Sequence, residues 1–379
     1  MAMGERARAT SGGHVTTSAA RIDSVSVAAY TVPMDEPESD GTLEWDSTTC
    51  VVVEAEAGGH TGLGYTYGDV SIATLVESKL AGTVRGTDAM RPPAAWAAMQ
   101  RALRNAGRPG VGAMAISAVD TALWDLKARL LGLPLADALP RFREEVPVYG
   151  SGGFTSYTHE RLAAQLRTWV DMGIPRVKMK VGRDPDADLD RVRAARAAIG
   201  DGVALMVDAN GAYTRKQALE WAQRFAGEGI AYLEEPVTSE DLEGLRLLRD
   251  RGPAGLSIAA GEYSWNPFYS RGLLEAGAVD ILQADVTRVG GITGLLGVDG
   301  LCAAHQVPFS AHCAPALTAH AGCAMQTIEH CELFHDHVRV EKLLFEGTHD
   351  PEGGAIAPDP KRPGHGLALK PEAAEHRVR

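Results

Sequence analysis

Six ionisable residues recur at a nearly constant interval through the middle of the chain, and that interval restricts the fold more than any other feature. Lys180, Asp208, Glu234, Glu262, Asp285 and His312 follow one another at steps of 28, 26, 28, 23 and 27 residues. Each closes a short apolar run, as in Lys178-Met179-Lys180, Val207-Asp208, Leu233-Glu234 and Ser310-Ala311-His312. Each run reads as a buried strand and is followed by a helical pattern. A step of that size is about one strand-plus-helix unit. Buried parallel strands have no other reason to end so regularly in a charge. At the C-terminal ends of successive barrel strands, such residues converge on one mouth.

The repeat begins near Val146. Seven apolar runs alternate with seven helical runs, approximately 158–173, 186–200, 214–229, 241–252, 266–277, 291–306 and 316–328, and an eighth strand closes the series. Gly173, Gly200, Gly229, Gly252 and Gly277 stand where a left-handed residue would end a helix. Thr214 to Gln217 fits a capping box. Repeated strand–helix–strand units imply parallel pairing with right-handed crossovers. The expected fold is α/β: a modified TIM barrel, (β/α)7β, over residues 145–350.

An α+β capping domain is expected over residues 21–140. Ile22–Val32, Thr48–Ala57 and His60–Tyr67 read as strands, the last two joined by a turn at Gly58-Gly59. Ala115–Leu131 carries Ile116, Val119, Leu123, Leu126 and Leu130 at helical spacing, and Gly132 follows where a helix would end. Trp124 and Asp125 within it read as packing and surface residues. Met34–Asp46, acidic and containing Pro37, Gly41 and Trp45, reads as a long loop suited to be a lid over the barrel mouth. Residues 1–20 lack an apolar core and are expected to be disordered. Residues 351–379, rich in proline, leave the repeat and are expected to return to the capping domain.

The net charge of −12 argues against a nucleic-acid partner, which requires a basic face. No apolar run approaches the length of a membrane span. Five cysteines with no Cys-x-x-Cys pair read as reduced thiols of a cytoplasmic protein.

Asp208, Glu234 and Glu262 on consecutive strand ends would repel one another unless a hard cation lay between them. An all-oxygen set favours Mg²⁺ over zinc. Glu235 should point to the opposite face of its strand and stay outside this group. Lys178 and Lys180 share a strand face. Beside another ammonium and a cation, Lys180 is expected to have a lowered pKa, as a lysine base requires. A hydrogen bond from Asp285 would fix the tautomer of His312 and aim its other nitrogen at a substrate. Barrel order puts Lys180 and His312 on opposite sides of the mouth. Glu332, near the end of the eighth strand, is expected to complete the ring as a hydrogen-bonding acid. His330, His335 and His337 fit no zinc spacing and read as surface or structural. Asn210, two residues beyond Asp208, would face the metal or a substrate hydroxyl, or serve as a turn residue before Gly211. There is no Gly-x-x-x-x-Gly-Lys, Gly-x-Gly-x-x-Gly or Gly-x-Ser-x-Gly motif.

On these residues the chain resembles the enolase superfamily and, within it, the mandelate racemase subgroup. Lys178-Met179-Lys180 resembles that subgroup's Lys-x-Lys. Asp208, Glu234 and Glu262 resemble its magnesium ligands, Asp285 and His312 its dyad, and Glu332 its last-strand glutamate. The stretches Gln283–Gly291 and Phe334–Arg339 resemble acid-sugar-active members. The muconate-lactonising subgroup carries a lysine on the sixth strand, and residues 281–288 have none. The resemblance implies Mg²⁺-dependent removal of the proton α to a carboxylate through an enediolate. Dehydration of an acid sugar to a 2-keto-3-deoxy acid is the first expectation, and racemisation or epimerisation of a 2-hydroxy acid the second. A metal-binding homologue without activity is a third reading, disfavoured by the complete set of acids and bases. The implied partner is a small-molecule carboxylate, and a homo-oligomer is implied as well.

Overall fold

A computed structural model of the chain describes residues 20–379. All but the last residue of the segment read as a disordered start therefore lies outside the described residues. Eight parallel strands form the barrel: β4 (Val146–Gly152), β5 (Arg176–Lys180), β6 (Ala204–Asp208), β7 (Tyr232–Glu234), β8 (Ser257–Ala260), β9 (Ile281–Ala284), β10 (Phe309–Ala311) and β11 (Ile328–Phe334). They pair in chain order, and β11 pairs with β4 to close the ring. Between them run α3 (His159–Asp171), α4 (Pro185–Ile199), α5 (Arg215–Gly227), α6 (Leu242–Arg251), α7 (Pro267–Glu275), α8 (Gly291–His305) and α9 (Pro315–Ala321), and α10 (His335–Leu344) follows β11. The Thr214–Gln217 capping box is formed, and Gly173, Gly200, Gly229 and Gly277 have positive φ. Gly252 differs. Its φ is −68°, and glycine is needed there because a Cβ would lie 2.5 Å from the Leu248 carbonyl oxygen.

The capping sheet is an antiparallel meander of β1 (Ser24–Ser39), β2 (Glu44–Ala57) and β3 (His60–Tyr67). The helices α1 (Pro92–Ala102) and α2 (Val111–Leu131) follow it. β3 lies directly on the α2 backbone: a Cβ on Gly62 or Gly64 would come within 2.3 Å and 2.2 Å of the Ala122 and Ala118 carbonyl oxygens. The other side of α2 meets the barrel. Asp120 accepts from the amide and hydroxyl of Thr293 on α8, and the indole of Trp124 donates to that hydroxyl. Asp125 is not a surface residue. Fully buried, it accepts from the amides of Leu63 and His365 and from the Arg129 guanidinium, and so joins helix, sheet and tail. The tail also returns through Ala368–Leu369, which pairs with Phe345–Glu346, and through Ala355–Ile356, which pairs with β4.

Met34–Asp46 is not a loop. β1 runs on to Ser39 and β2 begins at Glu44, so most of the segment is a two-stranded ribbon with an irregularity between Pro33 and Glu38. Only residues 40–43 form the turn, tied by Asp40 Oδ1 accepting from the amides of Thr42 and Leu43. Its acidic, proline-containing sequence hides the pairing, which main-chain hydrogen bonds and docking on the barrel supply. Ser39 meets Thr155 at 2.6 Å, Thr42 donates to the Asn210 carbonyl, Glu44 pairs with Arg183 and Trp45 donates to Asp336. Gly41 is seated so closely that a Cβ would lie 2.3 Å from the Ala209 carbonyl oxygen.

Candidate active site

Strand register assembles the first half of the site. Lys180 stands opposite Asp208 on β6, and Asp208 opposite Glu234 on β7. Glu262 follows β8 after Gly261, whose φ of 130° and contact with the Gln283 carbonyl oxygen (2.2 Å from a Cβ) admit only glycine. Asp208, Glu234 and Glu262 each present an oxygen to one small space, these atoms lying within 4.8 Å of one another. Glu234 Oε1 and Glu262 Oε2 are buried without a hydrogen-bond partner. Unsatisfied buried carboxylate oxygens on residues of such a cluster are what a hard cation would satisfy, so the donor set fits Mg²⁺.

The lysines neutralise part of this charge. Lys178 Nζ lies 2.6 Å from Glu234 Oε2 and 2.8 Å from Glu332 Oε1, and Lys180 Nζ lies 2.5 Å from Asp208 Oδ2. Burial favours the neutral amines, but the surrounding carboxylates outweigh it and hold both pKa values up. The expected lowering of the Lys180 pKa presumed a cation among these carboxylates; from the protein groups alone the direction is upward. Burial would keep Glu332 protonated, yet among the protein groups Lys178, His312 and Lys180 hold it well below the carboxylate range, and its Oε2 accepts from the Cys313 amide. Glu234 is pushed up to about 8 by burial and by the Asp208 charge.

The opposite wall is the dyad. His312 Nδ1 lies 2.8 Å from Asp285 Oδ2, while Asp285 Oδ1 accepts from the amide and hydroxyl of Thr287. Nε2 therefore faces the interior, 3.3 Å from Glu262 Oε2. Burial lowers the His312 pKa, but Glu262, Glu332 and the Asp285 hydrogen bond outweigh it and the net direction is upward.

Sequence reasoning missed three residues here. Arg288 reaches Glu262 Oε1 at 3.3 Å, and its position three residues past Asp285 was the available signal. Glu235 turns into the mouth because the strand ends at Glu234 and residue 235 takes a left-handed φ of 38°, breaking the alternation of faces. Burial, then Glu262 and Asp208, push its pKa up. Cys313, also at positive φ, puts Sγ 3.3 Å from His312 Nε2 and 3.4 Å from Glu332 Oε2. Asn210 has φ 46° and is a turn residue that also lines the cavity, its Oδ1 buried and unpartnered. His330 and His337 are buried, the first against Ser310 and the second stacked on Tyr67. A cavity of about 480 Å³ lies between the hairpin turn and Lys180, Glu262, Arg288, His312 and Cys313. A neighbouring chamber of about 630 Å³ shares Asn210, Tyr263 and Arg288 with it.

Comparison with known proteins gives the same architecture. Residues 24–139 match the mandelate racemase / muconate lactonizing enzyme N-terminal domain, and residues 161–373 match the enolase C-terminal domain-like model. The chain is 33% identical to a 3,6-anhydro-alpha-L-galactonate cycloisomerase from Streptomyces coelicolor, over 92% of this chain and 97% of that protein. The structure of a mandelate racemase/muconate lactonizing enzyme-like protein from Rubrobacter xylanophilus superposes with a TM-score of 0.93 at 70% identity, covering 94% of this chain and all of that one. L-Talarate dehydratase from Polaromonas sp. JS666, solved with Mg and L-glucarate, gives a TM-score of 0.85 at 30% identity, covering 95% and 98%. With both of its domains matched, the chain belongs to the mandelate racemase/muconate lactonizing enzyme family of the enolase superfamily.

Proposed function

We propose that the protein is a Mg²⁺-dependent enzyme that removes the proton α to the carboxylate of an acid sugar and eliminates the β-oxygen substituent, giving a 2-keto-3-deoxy acid. The observation that carries this reading is a pair of candidate bases, Lys180 beside Asp208 and the Asp285-supported His312 beside Glu262, at the two flanks of three clustered carboxylates. Asp208, Glu234 and Glu262 would hold the metal. When bound, Mg²⁺ supplies positive charge for the substrate carboxylate and competes for the carboxylate charge that otherwise keeps the lysines protonated.

On this reading Lys180 or His312 takes the α-proton, according to the configuration of the substrate. Lys178, anchored by Glu332, donates to the enediolate oxygen as charge develops there, and so stabilises the transition state more than the ground state. The base on the opposite side, then acting as an acid, protonates the departing β-hydroxyl. The docked hairpin excludes water from the intermediate. A cavity of about 480 Å³ is of ordinary size for a small ligand. The similarity to a 3,6-anhydro-galactonate cycloisomerase favours a second reading with the same first step, in which the leaving group is a ring ether oxygen and no water is released. Racemisation follows if the opposite group returns a proton to the α-carbon.

The five unpaired cysteines fit the cytoplasm. No helix among the described residues is long and apolar enough to cross a membrane. The net charge of −12 favours neither nucleic acid nor an anionic membrane, and we read the working form as a homo-oligomer. The test is a screen of mono- and diacid sugars and their anhydro and lactone forms, with 2-keto acid detection beside α-deuterium exchange. Exchange on no acid sugar would refute the proposal. Exchange without keto acid would select the racemase.

A further inference from the structure

Cys313 has no part in the proton transfers above, yet its thiol stands with three other potential metal ligands gathered round His312 Nε2. We propose that His312, Cys313, Glu332 and Glu262 form a second metal site, for a thiophilic divalent cation such as Zn²⁺, distinct from the three-carboxylate site but sharing Glu262 with it. His312 Nε2 lies 3.3 Å from Cys313 Sγ, 3.3 Å from Glu262 Oε2 and 3.6 Å from Glu332 Oε2. Cys313 Sγ lies 3.4 Å from Glu332 Oε2. With zinc–nitrogen and zinc–oxygen bonds of about 2.0–2.1 Å and a zinc–sulfur bond of about 2.3 Å, a tetrahedron has N···O edges of about 3.3 Å and edges to sulfur of about 3.5 Å. Three of these distances close the His312–Cys313–Glu332 triangle and the fourth ties Glu262 to its His312 corner, and each of these four of the six edges falls within a few tenths of an ångström of those values.

Three further observations point the same way. Glu262 Oε2, the oxygen through which the two sites would be joined, is buried, has no hydrogen-bond partner and faces His312 Nε2. The outer contacts are those that orient metal ligands: His312 Nδ1 is held by Asp285, and Glu332 is held by Lys178 and by the Cys313 amide. The cavity is lined by His312, Cys313 and Glu262, so an ion has a route to them. Among the described residues the one cysteine that falls in a group of three potential ligands is Cys313, with His312 and Asp285.

Binding replaces the S–H bond by a sulfur–metal bond and releases the thiol proton to solvent, with any proton then on His312. The cation would occupy the lone pair of His312 Nε2. Resting on the proposed function, this predicts that Zn²⁺ blocks α-proton exchange on the His312 side. The existence of the site does not depend on that reading.

The test uses Mg²⁺-loaded full-length protein and no substrate. Co²⁺, added as a probe, should produce a sulfur-to-cobalt charge-transfer absorption in the near ultraviolet, and Zn²⁺ should abolish it. Cys313→Ser should remove the band, whereas Cys331→Ser should retain it. Zn²⁺ affinity in Cys313→Ser should fall by more than the roughly 10–100-fold that loss of a supporting hydrogen bond costs a metal site. Zinc-edge X-ray absorption of the wild type at one equivalent should show one sulfur at about 2.3 Å, a result that requires no variant to fold. A shell of oxygen and nitrogen alone, no charge-transfer band in the wild type, or a band that survives in Cys313→Ser overturns the proposal.

Discussion

Replacing His312 with asparagine should abolish proton exchange on one face of the substrate and spare the other. Lys180 ends β5 and His312 follows β10, three strands apart one way round the ring and five the other. Their reactive atoms flank the carboxylate cluster from opposite sides: Lys180 Nζ is 2.5 Å from Asp208, and His312 Nε2 is 3.3 Å from Glu262. Neither side chain can reach both faces of one α-carbon held between them. Removing a general base costs roughly 10²–10⁴-fold, about 2.7–5.4 kcal/mol at 1.36 kcal/mol per decade. The full loss should fall on the isomer whose α-hydrogen faces His312. Asparagine keeps a polar group beside Asp285 but cannot accept the proton. The assay is NMR of deuterium incorporation at the α-carbon in D₂O, with each configuration of one acid sugar, for wild type, His312→Asn and Lys180→Ala. The two variants should lose exchange on opposite isomers. If both variants exchange both isomers at wild-type rates, neither residue is the base. If one variant loses both faces, that residue alone serves them and the two-sided geometry is refuted.

Mg²⁺ removal by a chelator should end activity and lower thermal stability, because a ligand at a hundred times its Kd stabilises the folded state by about 2.7 kcal/mol. Glu234→Ala should lose that Mg²⁺-dependent shift in Tm, and an unchanged shift would count against the three-carboxylate site. Gly41→Ala puts a methyl 2.3 Å from the Ala209 carbonyl oxygen and should lift the hairpin turn. A displacement on that scale can cost about 10²-fold in kcat/KM, and tryptic cleavage near the turn should accelerate. Unchanged kinetics and cleavage would show that the hairpin's seating does not matter. Burial pushes His320 and His330 down to about 3, so both are neutral when folded but take up protons near pH 6.5 when unfolded. Their contribution is present above pH 6.5 and is lost as pH falls towards 3, each adding up to about 1.4 kcal/mol per pH unit to the slope. Denaturant titrations across that range should show His330→Asn with a shallower slope, and an identical slope would refute the assignment.

The interval between Lys180, Asp208, Glu234, Glu262, Asp285 and His312 was enough to specify a parallel barrel and a shared mouth. Spacing along the chain is a local quantity, and strand-plus-helix units have nearly fixed length. Most helix limits were legible for the same reason, because caps such as Thr214 and C-terminal glycines act on their own backbone; the helix expected over 316–328 has neither signal at its end and stops at Ala321. What failed depended on neighbours distant in sequence. Asp125 looked like a surface acid until Leu63, Arg129 and His365 were folded around it. The ribbon in Met34–Asp46 is held by the barrel beneath it as much as by its own pairing. Glu235 escaped because alternation of faces holds only while a strand continues, and the chain leaves β geometry at that residue. The ion pairs of Lys178 and Lys180 join charges that three different strands bring within 4 Å. Sequence by itself determined that the six strand-end residues meet at the mouth, because periodicity fixes direction. Only the tertiary structure decided how they pair and which carry protons, because those depend on distances between strands that no single segment contains.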